Sequence, residues 1–272
     1  MTDQMTIVRS PQVYLIGRQM MNDGELDRFL VDHGVTWESD SEVAAEVIAE
    51  TAGRVCYMSF AKPRPGGNAA YLGHIKDVGH GSVFEHAVWS FIITGVSRSL
   101  THELVRHRAG WAYSQLSQRY VDESVAEYVE PDIIAQDPEL HAIWLDAIQH
   151  VHNSYVMLAE KLNAKLADPA AATAALLPPD ADRTLRRKTA RQAARSVLPN
   201  ATETKITVTA NARALRHFLE QRGSVHAEPE IRKLANAMLD ILVEDAPNLF
   251  GDYVKHPLPD GTFDLKTATP KV

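Results

Sequence analysis

The sequence predicts a mixed α/β protein on two observations. Long segments place apolar residues at helical spacing, and short β-branched, aromatic or alternating runs lie between them, bounded by turn residues. With 272 residues and 45% apolar content, the chain is long enough to bury a substantial core. No internal repeat or disordered tract interrupts it, so a single domain over residues 1–272 is expected, with a core from about 10 to 255 and an extended, proline-bearing tail over 253–272.

In chain order, Val13 to Gly17 reads as a short strand. Ser41 to Tyr57 reads as a helix with Val43, Ala44, Val47, Ile48, Thr51 and Val55 at helical spacing, capped by Ser39 or Ser41. Lys62 to Asn68, with Pro63, Pro65 and two glycines, is a turn-rich break, and Ala69 to Val78 is a second helix ending at Gly79. Small, polar and imidazole-bearing residues from Gly79 to His86 then lead into the apolar run Ala87 to Thr94, which predicts a strand covered on both faces. Val96 to Val105 reads as a helix with Leu100 and Leu104 on its buried side.

Further on, Ala126 to Val129 is a strand. Leu140, Ile143, Ala147, Val151, Tyr155, Leu158, Leu162 and Leu166 mark a long amphipathic helix of the core-packing or subunit-packing kind, stopped by Asp168-Pro169. An alanine-rich connector reaches Leu177. Pro178-Pro179-Asp180-Ala181-Asp182 opens the next helix, which Pro199 closes. Lys205 to Ala210 alternates like a strand, and Asn211 is suited to cap the helix Ala212 to Arg222, which ends at Gly223. The last helix spans Ile231 to Glu244.

Composition limits the function. Net charge is −7, from 28 basic and 35 acidic residues, which disfavours non-specific binding to nucleic acid or anionic membrane. No stretch approaches the roughly 18 apolar residues of a membrane span, and Met1 to Gln12 has no apolar signal-type core, so the cytoplasm is the expected compartment. The single cysteine, Cys56, excludes an internal disulfide and a cysteine zinc cluster, and at the end of an apolar helical pattern it is expected to pack rather than react. His102 and His107 are five positions apart, about 140° around a helix, so they do not form the one-face pair of a zinc-protease helix, and no metal is expected.

The segment Arg106 to Tyr120 packs three arginines, a histidine, two serines, two glutamines and two tyrosines into fifteen residues without an acid. Guanidinium groups bind phosphate through planar, charge-assisted hydrogen bonds, and the hydroxyl and amide groups add short-range donors, which suits a phosphorylated metabolite. A solvated helix face with no ligand is the competing explanation. Arg183, Arg187, Arg191 and Arg195 recur every four residues. For most of them the solvated-surface explanation is the better one, whereas Arg195 lies among small and apolar neighbours, Ala193-Ala194 and Val197-Leu198-Pro199.

Four segments together resemble the flavin-dependent thymidylate synthases. They are Gly79-His80 with Phe84-Glu85-His86, the Arg106 to Tyr120 block, Ala194-Arg195 with Val197-Leu198-Pro199, and Asn211-Ala212-Arg213 running to Arg222 and His226. The resemblance implies an α/β (α+β) fold of the thymidylate synthase-complementing-protein kind, with a central, mostly antiparallel sheet flanked by long helices. It also implies a homotetramer with active sites shared between subunits. FAD is the implied cofactor, 5,10-methylenetetrahydrofolate the carbon donor and NADPH the reductant, in the methylation of dUMP to dTMP. No Gly-x-Gly-x-x-Gly follows a strand, in keeping with a flavin site not built on a dinucleotide fold.

By the same resemblance, Arg106, Gln115, Leu116, Ser117, Gln118, Arg119, Arg195 and Arg222 fall at dUMP-contacting positions. Ser82, Glu85, Arg106, His107, Arg108, Ser114, Asn211, Arg213, His217, Arg222 and His226 fall at flavin-contacting ones, and His80 where an imidazole stacks near flavin and folate. Arg195 is the residue expected to stabilise negative charge developing on the pyrimidine, with Ser117 orienting and polarising it.

Two departures from the family pattern stand out. Eight residues, Ala109 to Leu116, separate Arg-His-Arg from its serine where the family has seven, and the extra one is placed at Ala109-Gly110-Trp111, where glycine permits a bulge. Glu103 occupies a position where glutamine commonly contacts the nucleotide, and a carboxylate beside a phosphate is unfavourable. A nucleic-acid-binding module built on the arginine stripe, and a nucleotide-binding regulator without turnover, are the competing functional readings.

Overall fold

A computed structural model describes residues 5–62, 64–178 and 180–272. Pro63 and Pro179, named above in a turn and a helix start, lie outside the described residues, as do the first four residues of the polar N-terminus. The structure is a mixture of helices and sheet, as the sequence predicts. Its elements begin with β1 (Thr6–Val8), β2 (Gln12–Arg18), α1 (Asp23–Asp32), α2 (Ala44–Tyr57) and α3 (Gly67–Asp77). A 3-10 segment, Gly81–His86, precedes β3 (Val88–Ser97), α4 (Arg98–Leu104), β4 (Trp111–Gln115) and β5 (Glu127–Val129). Next come α5 (Asp132–Ala135), α6 (Pro138–Lys165), α7 (Pro169–Ala174) and α8 (Arg183–Ala194), with a 3-10 turn at Arg195–Val197. The chain ends with β6 (Glu203–Asn211), α9 (Ala212–Arg222), α10 (Pro229–Asp245), α11 (Pro247–Phe250), β7 (Tyr253–Pro257) and β8 (Phe263–Thr267).

The chain forms two compact units. The first comprises residues 1–10, 94–102 and 115–206; the second comprises 11–93, 103–114 and 207–272. Within the first, β1 pairs in parallel with β5, Thr6 opposite Glu127 and Val8 opposite Val129. Ala126, Tyr128 and Ile148 form one small core with Trp144 packed against it, and Leu166, Leu177 and Ala190 form another between α6 and α8. Asp137 caps α6 by accepting the Glu139 and Leu140 N–H groups at 2.9 and 3.2 Å. Proline at the start of that helix suits a position whose N–H has no helical partner.

In the second unit a four-stranded sheet runs in the order β2-β3-β6-β4. Trp89, Phe91 and Ile93 on one face of β3 are fully buried, while Val88, Ser90 and Ile92 are only partly covered, so the expectation of equal cover on both faces does not hold. Alternation along a strand sends neighbours to opposite faces, and only one of these faces meets a complete core. Trp89 packs edge-on against Phe250 at 5.5 Å, and its indole N–H reaches Asp245 at 2.7 Å.

Local signals place α9 well. Asn211 Oδ1 accepts the Ala214 N–H at 2.9 Å, the expected cap. Gly223 follows the helix, but its φ of −82° shows that no left-handed turn requires it. Space does: a Cβ there would lie 2.4 Å from Leu265 Cδ1. Buried Arg216 ties the same helix to Asp252 by two bonds, at 2.7 and 2.8 Å.

Several expectations change. Helix α2 begins at Ala44 with no side-chain cap. Ser41 Oγ instead accepts the Val43 N–H at 3.2 Å and donates to Glu46 at 2.6 Å. Val55 and Cys56, expected to pack, are exposed, because the buried face of this helix runs through Val47, Ala49, Gly53 and Arg54. Along α6, Tyr155 is fully buried and Leu140, Ile143 and Leu158 are exposed. Part of the alanine-rich connector is the short helix α7, capped by Asp168. The expected C-terminal tail has the extended backbone foreseen for it but is paired as the antiparallel hairpin β7–β8, with Tyr253 and Leu265 buried.

Candidate functional site

A cavity of about 760 Å³ opens in the second unit. Its size falls within the range of small-molecule and cofactor pockets. Two stretches of chain build most of it. The turn from Arg106 to Trp111 supplies one wall, and α9 supplies the other through Arg213, His217 and Gln221, four residues apart and therefore on one helical face. Asn211, at the start of α9, and Glu85, on the 3-10 segment, complete the lining together with Ala214 and Arg222.

Gly110 joins these walls. Its φ is +74°, a left-handed conformation that favours glycine, and its carbonyl accepts the Asn211 N–H at 3.1 Å. A Cβ at this position would stand 2.7 Å from Asn211 Nδ2 and 2.9 Å from Ala214 Cβ. The Ala109-Gly110-Trp111 segment, to which the sequence assigns the extra residue, therefore sits where the turn closes against the helix. Trp111, the first residue of β4, stacks on Tyr113 at 5.7 Å, and the Tyr113 hydroxyl donates to the His107 carbonyl at 2.6 Å. These contacts fix the turn from its far side.

Two of the cavity's arginines, Arg213 and Arg222, are already paired. Arg222 donates to Glu103 through Nη1 at 2.5 Å and to His107 Nε2 through Nε at 3.1 Å. Arg213 donates to Glu85 at 2.6 Å in an exposed pair. Glu103, set apart in the sequence as an unfavourable neighbour for phosphate, is thus the partner of an arginine. Burial, followed by the Glu228 carboxylate, raises its pKa, and Arg222 opposes them. His107 is 9% exposed and packs edge-on against Phe218 at 5.3 Å. Burial, then Arg222 and His217, lower its pKa to about 4, so at neutral pH the imidazole is uncharged and accepts the Arg222 bond.

The first unit carries the other expected residues. After β4 the chain turns through Leu116 to Tyr120. The Leu116 N–H donates to the Lys205 carbonyl at 2.8 Å, and the Tyr120 N–H to the Ser117 carbonyl at 3.1 Å. Gln115 Nε2 bonds Thr101 and Thr204 at 3.1 and 3.3 Å, which orients its side chain into this unit. Ser117 Oγ accepts the Arg119 N–H at 3.4 Å. Gln118 is 5% exposed, yet its Nε2 has no hydrogen-bond partner, and neither does the buried Nε of Arg119. Buried donors of this kind are rare and mark places that a polar ligand can complete. Arg195 lies in the 3-10 turn that follows α8, half-buried.

Of the residues expected to contact flavin, the cavity gathers Glu85, Arg106, His107, Arg108, Asn211, Arg213, His217 and Arg222. Ser82, on the same 3-10 segment as Glu85, Ser114 in β4, and His226 in the loop after α9 are not among its lining residues. His80 is exposed, immediately before the 3-10 segment. The residues expected around dUMP divide: Gln115 to Arg119 and Arg195 belong to the first unit, Arg106 and Arg222 to the cavity of the second. Gln221 and Trp111 were missed as lining residues. Spacing of four from His217 was the available signal for Gln221. In the arginine stripe, Arg191 is bonded to the Tyr120 carbonyl at 2.9 Å and paired with Asp122. Among the described residues no helix is long and apolar enough to cross a membrane, and no group of three or more His, Cys, Asp or Glu side chains converges as a metal site requires.

Comparison with known proteins adds three findings. Residues 40–248 match the family model described as thymidylate synthase complementing protein. A flavin-dependent thymidylate synthase of Mycobacterium sp. (strain KMS) is 52% identical over 236 residues, covering 86% of this chain and 89% of that one. Another, of Mycolicibacterium gilvum, is 52% identical over 230 residues, covering 84% and 87%. Among solved structures, the UMP/dUMP methylase PolB of Streptomyces cacaoi, crystallised with 5-Br UMP, is similar in fold, with a TM-score of 0.61 at 20% identity over 91% of this chain and 95% of that one.

Proposed function

The chain belongs to the flavin-dependent thymidylate synthase family, and from that premise we propose that it methylates dUMP to dTMP with FAD as its cofactor, 5,10-methylenetetrahydrofolate as carbon donor and NADPH as reductant. One observation carries this reading: the cavity walls hold most of the flavin positions that the motifs imply, brought together from segments more than a hundred residues apart. The side chains there fit the cofactor. Arg106, Arg108, Arg213 and Arg222 suit a pyrophosphate, and the Trp111 ring and the imidazoles of His107 and His217 offer faces to planar rings. Bound there, the flavin supplies hydride chemistry that no side chain provides.

The chain's own residues bind, orient and stabilise. Arg119 neutralises the nucleotide phosphate, and the unpaired donors of Gln118 and Arg119 complete the polar contacts of the nucleotide. Ser117 orients and polarises the pyrimidine. Arg195 stabilises the negative charge that must build up on the ring before its C5 can take a carbon substituent. Cys56, exposed on α2 and outside these segments, takes no part, so the reaction proceeds without a cysteine nucleophile.

The two units serve one synthase domain. Exposed apolar side chains along α6, Leu140, Ile143 and Leu158, support packing against other subunits, in a cytoplasmic homotetramer whose active sites are shared. Neither nucleic acid nor membrane is a partner. The test is direct. Purified protein should show a flavin absorption band and form dTMP from dUMP when methylenetetrahydrofolate and NADPH are supplied. Protein without that band, even after FAD is added, and without turnover of dUMP, would sink the proposal.

A further inference from the structure

We infer that the segment after β8 positions Arg213 for the flavin, with Lys271 and Val272 as its positioning residues. The inference rests on the proposal that the cavity holds FAD. The segment lies outside residues 40–248, which match the family model, and none of its residues lines the cavity. It acts on the cavity wall from outside. Arg213, His217 and Gln221 form the cavity face of α9, and Arg216 and Glu220, three residues beyond Arg213 and His217, form the adjoining stripe.

That stripe is bound by residues in and around the β7–β8 hairpin. Arg216 Nη2 donates to Asp252 Oδ2 at 2.8 Å, and to the hydroxyl and carbonyl of Thr269 at 3.2 and 3.3 Å. The Lys271 N–H donates to both carboxylate oxygens of Glu220 at 3.1 Å. At the end of the helix, the Leu265 N–H donates to the Gly223 carbonyl at 2.9 Å.

Lys271 gives the segment a definite end point. Its φ is +65°, a left-handed conformation that is uncommon for a residue with a side chain and persists where the surroundings impose it. Lys271 itself is exposed, whereas Val272, beyond the bend, is 4% exposed. Val272 lies against Gly81, the first residue of the 3-10 segment that carries Glu85. A Cβ on Gly81 would stand 2.4 Å from the Val272 backbone carbonyl carbon and 3.3 Å from Arg213 Nε, so Val272 and the Arg213 side chain share the space over this glycine. The far end of Arg213 donates to Glu85 at 2.6 Å. Confined by Val272 and tied to Glu85, the guanidinium has fewer rotamers to lose when it takes an anionic ligand, which lowers the cost of binding.

FAD titration of the full chain, followed by flavin fluorescence, tests the assignment. Lys271→Pro removes the N–H that Glu220 accepts and forces φ to about −65°, whereas Lys271→Gly keeps both the N–H and the left-handed bend. Lys271→Pro should weaken FAD binding about 10-fold, a partial loss of the charge-assisted contact of Arg213, and Lys271→Gly should bind FAD like the parent. In an Arg213→Ala background, Lys271→Pro should cause no further loss, because both changes remove the same contribution. A merely structural role would add its full loss in that background. That result overturns the inference, as does parent affinity in Lys271→Pro or an equal loss in Lys271→Gly. If Lys271→Pro fails to fold, Val272→Ala carries the test: weaker FAD binding that disappears in the Arg213→Ala background supports the role, and any other result refutes it. Parent protein that binds no FAD would overturn the flavin reading itself, and the role of this segment with it.

Discussion

The cavity of the second unit and the turn after β4 in the first leave their donor groups in different states. In the second, Arg222 is held by Glu103 and His107, and Arg213 by Glu85, so these two arginines of the cavity are paired before any ligand arrives. In the first, Arg98, Gln118 and Arg119 keep buried donors with no partner. A ligand entering the cavity competes with carboxylates already in place. One entering the first unit supplies acceptors to groups that lack them. The first arrangement moderates affinity and keeps a large pocket ordered; the second reserves binding energy for one small, oxygen-rich anion.

Substitutions can break that contrast, and the largest effect is expected at Arg195. Its replacement by alanine should lower the rate of dTMP formation about 100- to 1000-fold while leaving FAD bound, since the loss falls on developing charge. Unchanged turnover would remove its role.

Acidification probes the paired unit. The folded chain keeps His107 neutral down to about pH 4, whereas the unfolded chain takes up the proton near 6.5. The unfolded state therefore binds more protons between these values. Stability is full above about pH 6.5 and falls towards pH 4 by about 3 kcal/mol from this group. Denaturant unfolding at several pH values measures the slope, which His107→Gln should flatten; an equal slope in that variant would show that another group is responsible.

Gly110→Ala should come next, costing about 1–3 kcal/mol in thermal or denaturant unfolding, because a left-handed backbone must carry a Cβ that meets Asn211 and Ala214. FAD titration should show weaker binding as well. Glu103→Gln should change stability by less than about 1 kcal/mol, its side chain being 27% exposed, and tighten flavin binding a few-fold by releasing Arg222. Weaker flavin binding in that variant would mean that the pairing positions Arg222 instead of competing for it. Ser117→Ala should show the smallest effect on catalysis, about fivefold, as an orienting hydrogen bond is lost. Complete inactivity with dUMP still bound would make Ser117 more than an orienting group.

Much of this was legible in the chain. Helical spacing located α2, α6, α9 and α10, and Asn211 announced its own cap, because both signals are local and follow from backbone geometry. The irregular Ala109-Gly110-Trp111 was identified as the place of a bulge, and Gly110 has the left-handed φ that a bulge favours. Three features escaped. Strand β1 is three residues long and gains its partner β5 from about 120 residues away, which no periodicity reveals. The hairpin β7–β8 read only as an extended tail, since its pairing depends on packing Leu265 against Gly223 and on the hydrogen bonds of Asp252 to Arg216. Cys56 sat in an apolar pattern but points outward, because register along the last turn of a helix depends on what the helix meets.

From the sequence alone came the order of the segments, their chemistry and the family they resemble, all of which depend on which residues adjoin along the chain. Tertiary structure decided which charges are paired and which donors are left open. Glu103 looked like a misplaced acid beside a phosphate and is the partner of Arg222; Arg98, which no sequence pattern singled out, has a buried Nη1 without a hydrogen-bond partner. The reason is physical: pairing and desolvation are set by distances between atoms that lie far apart in sequence, and only the folded chain brings them together.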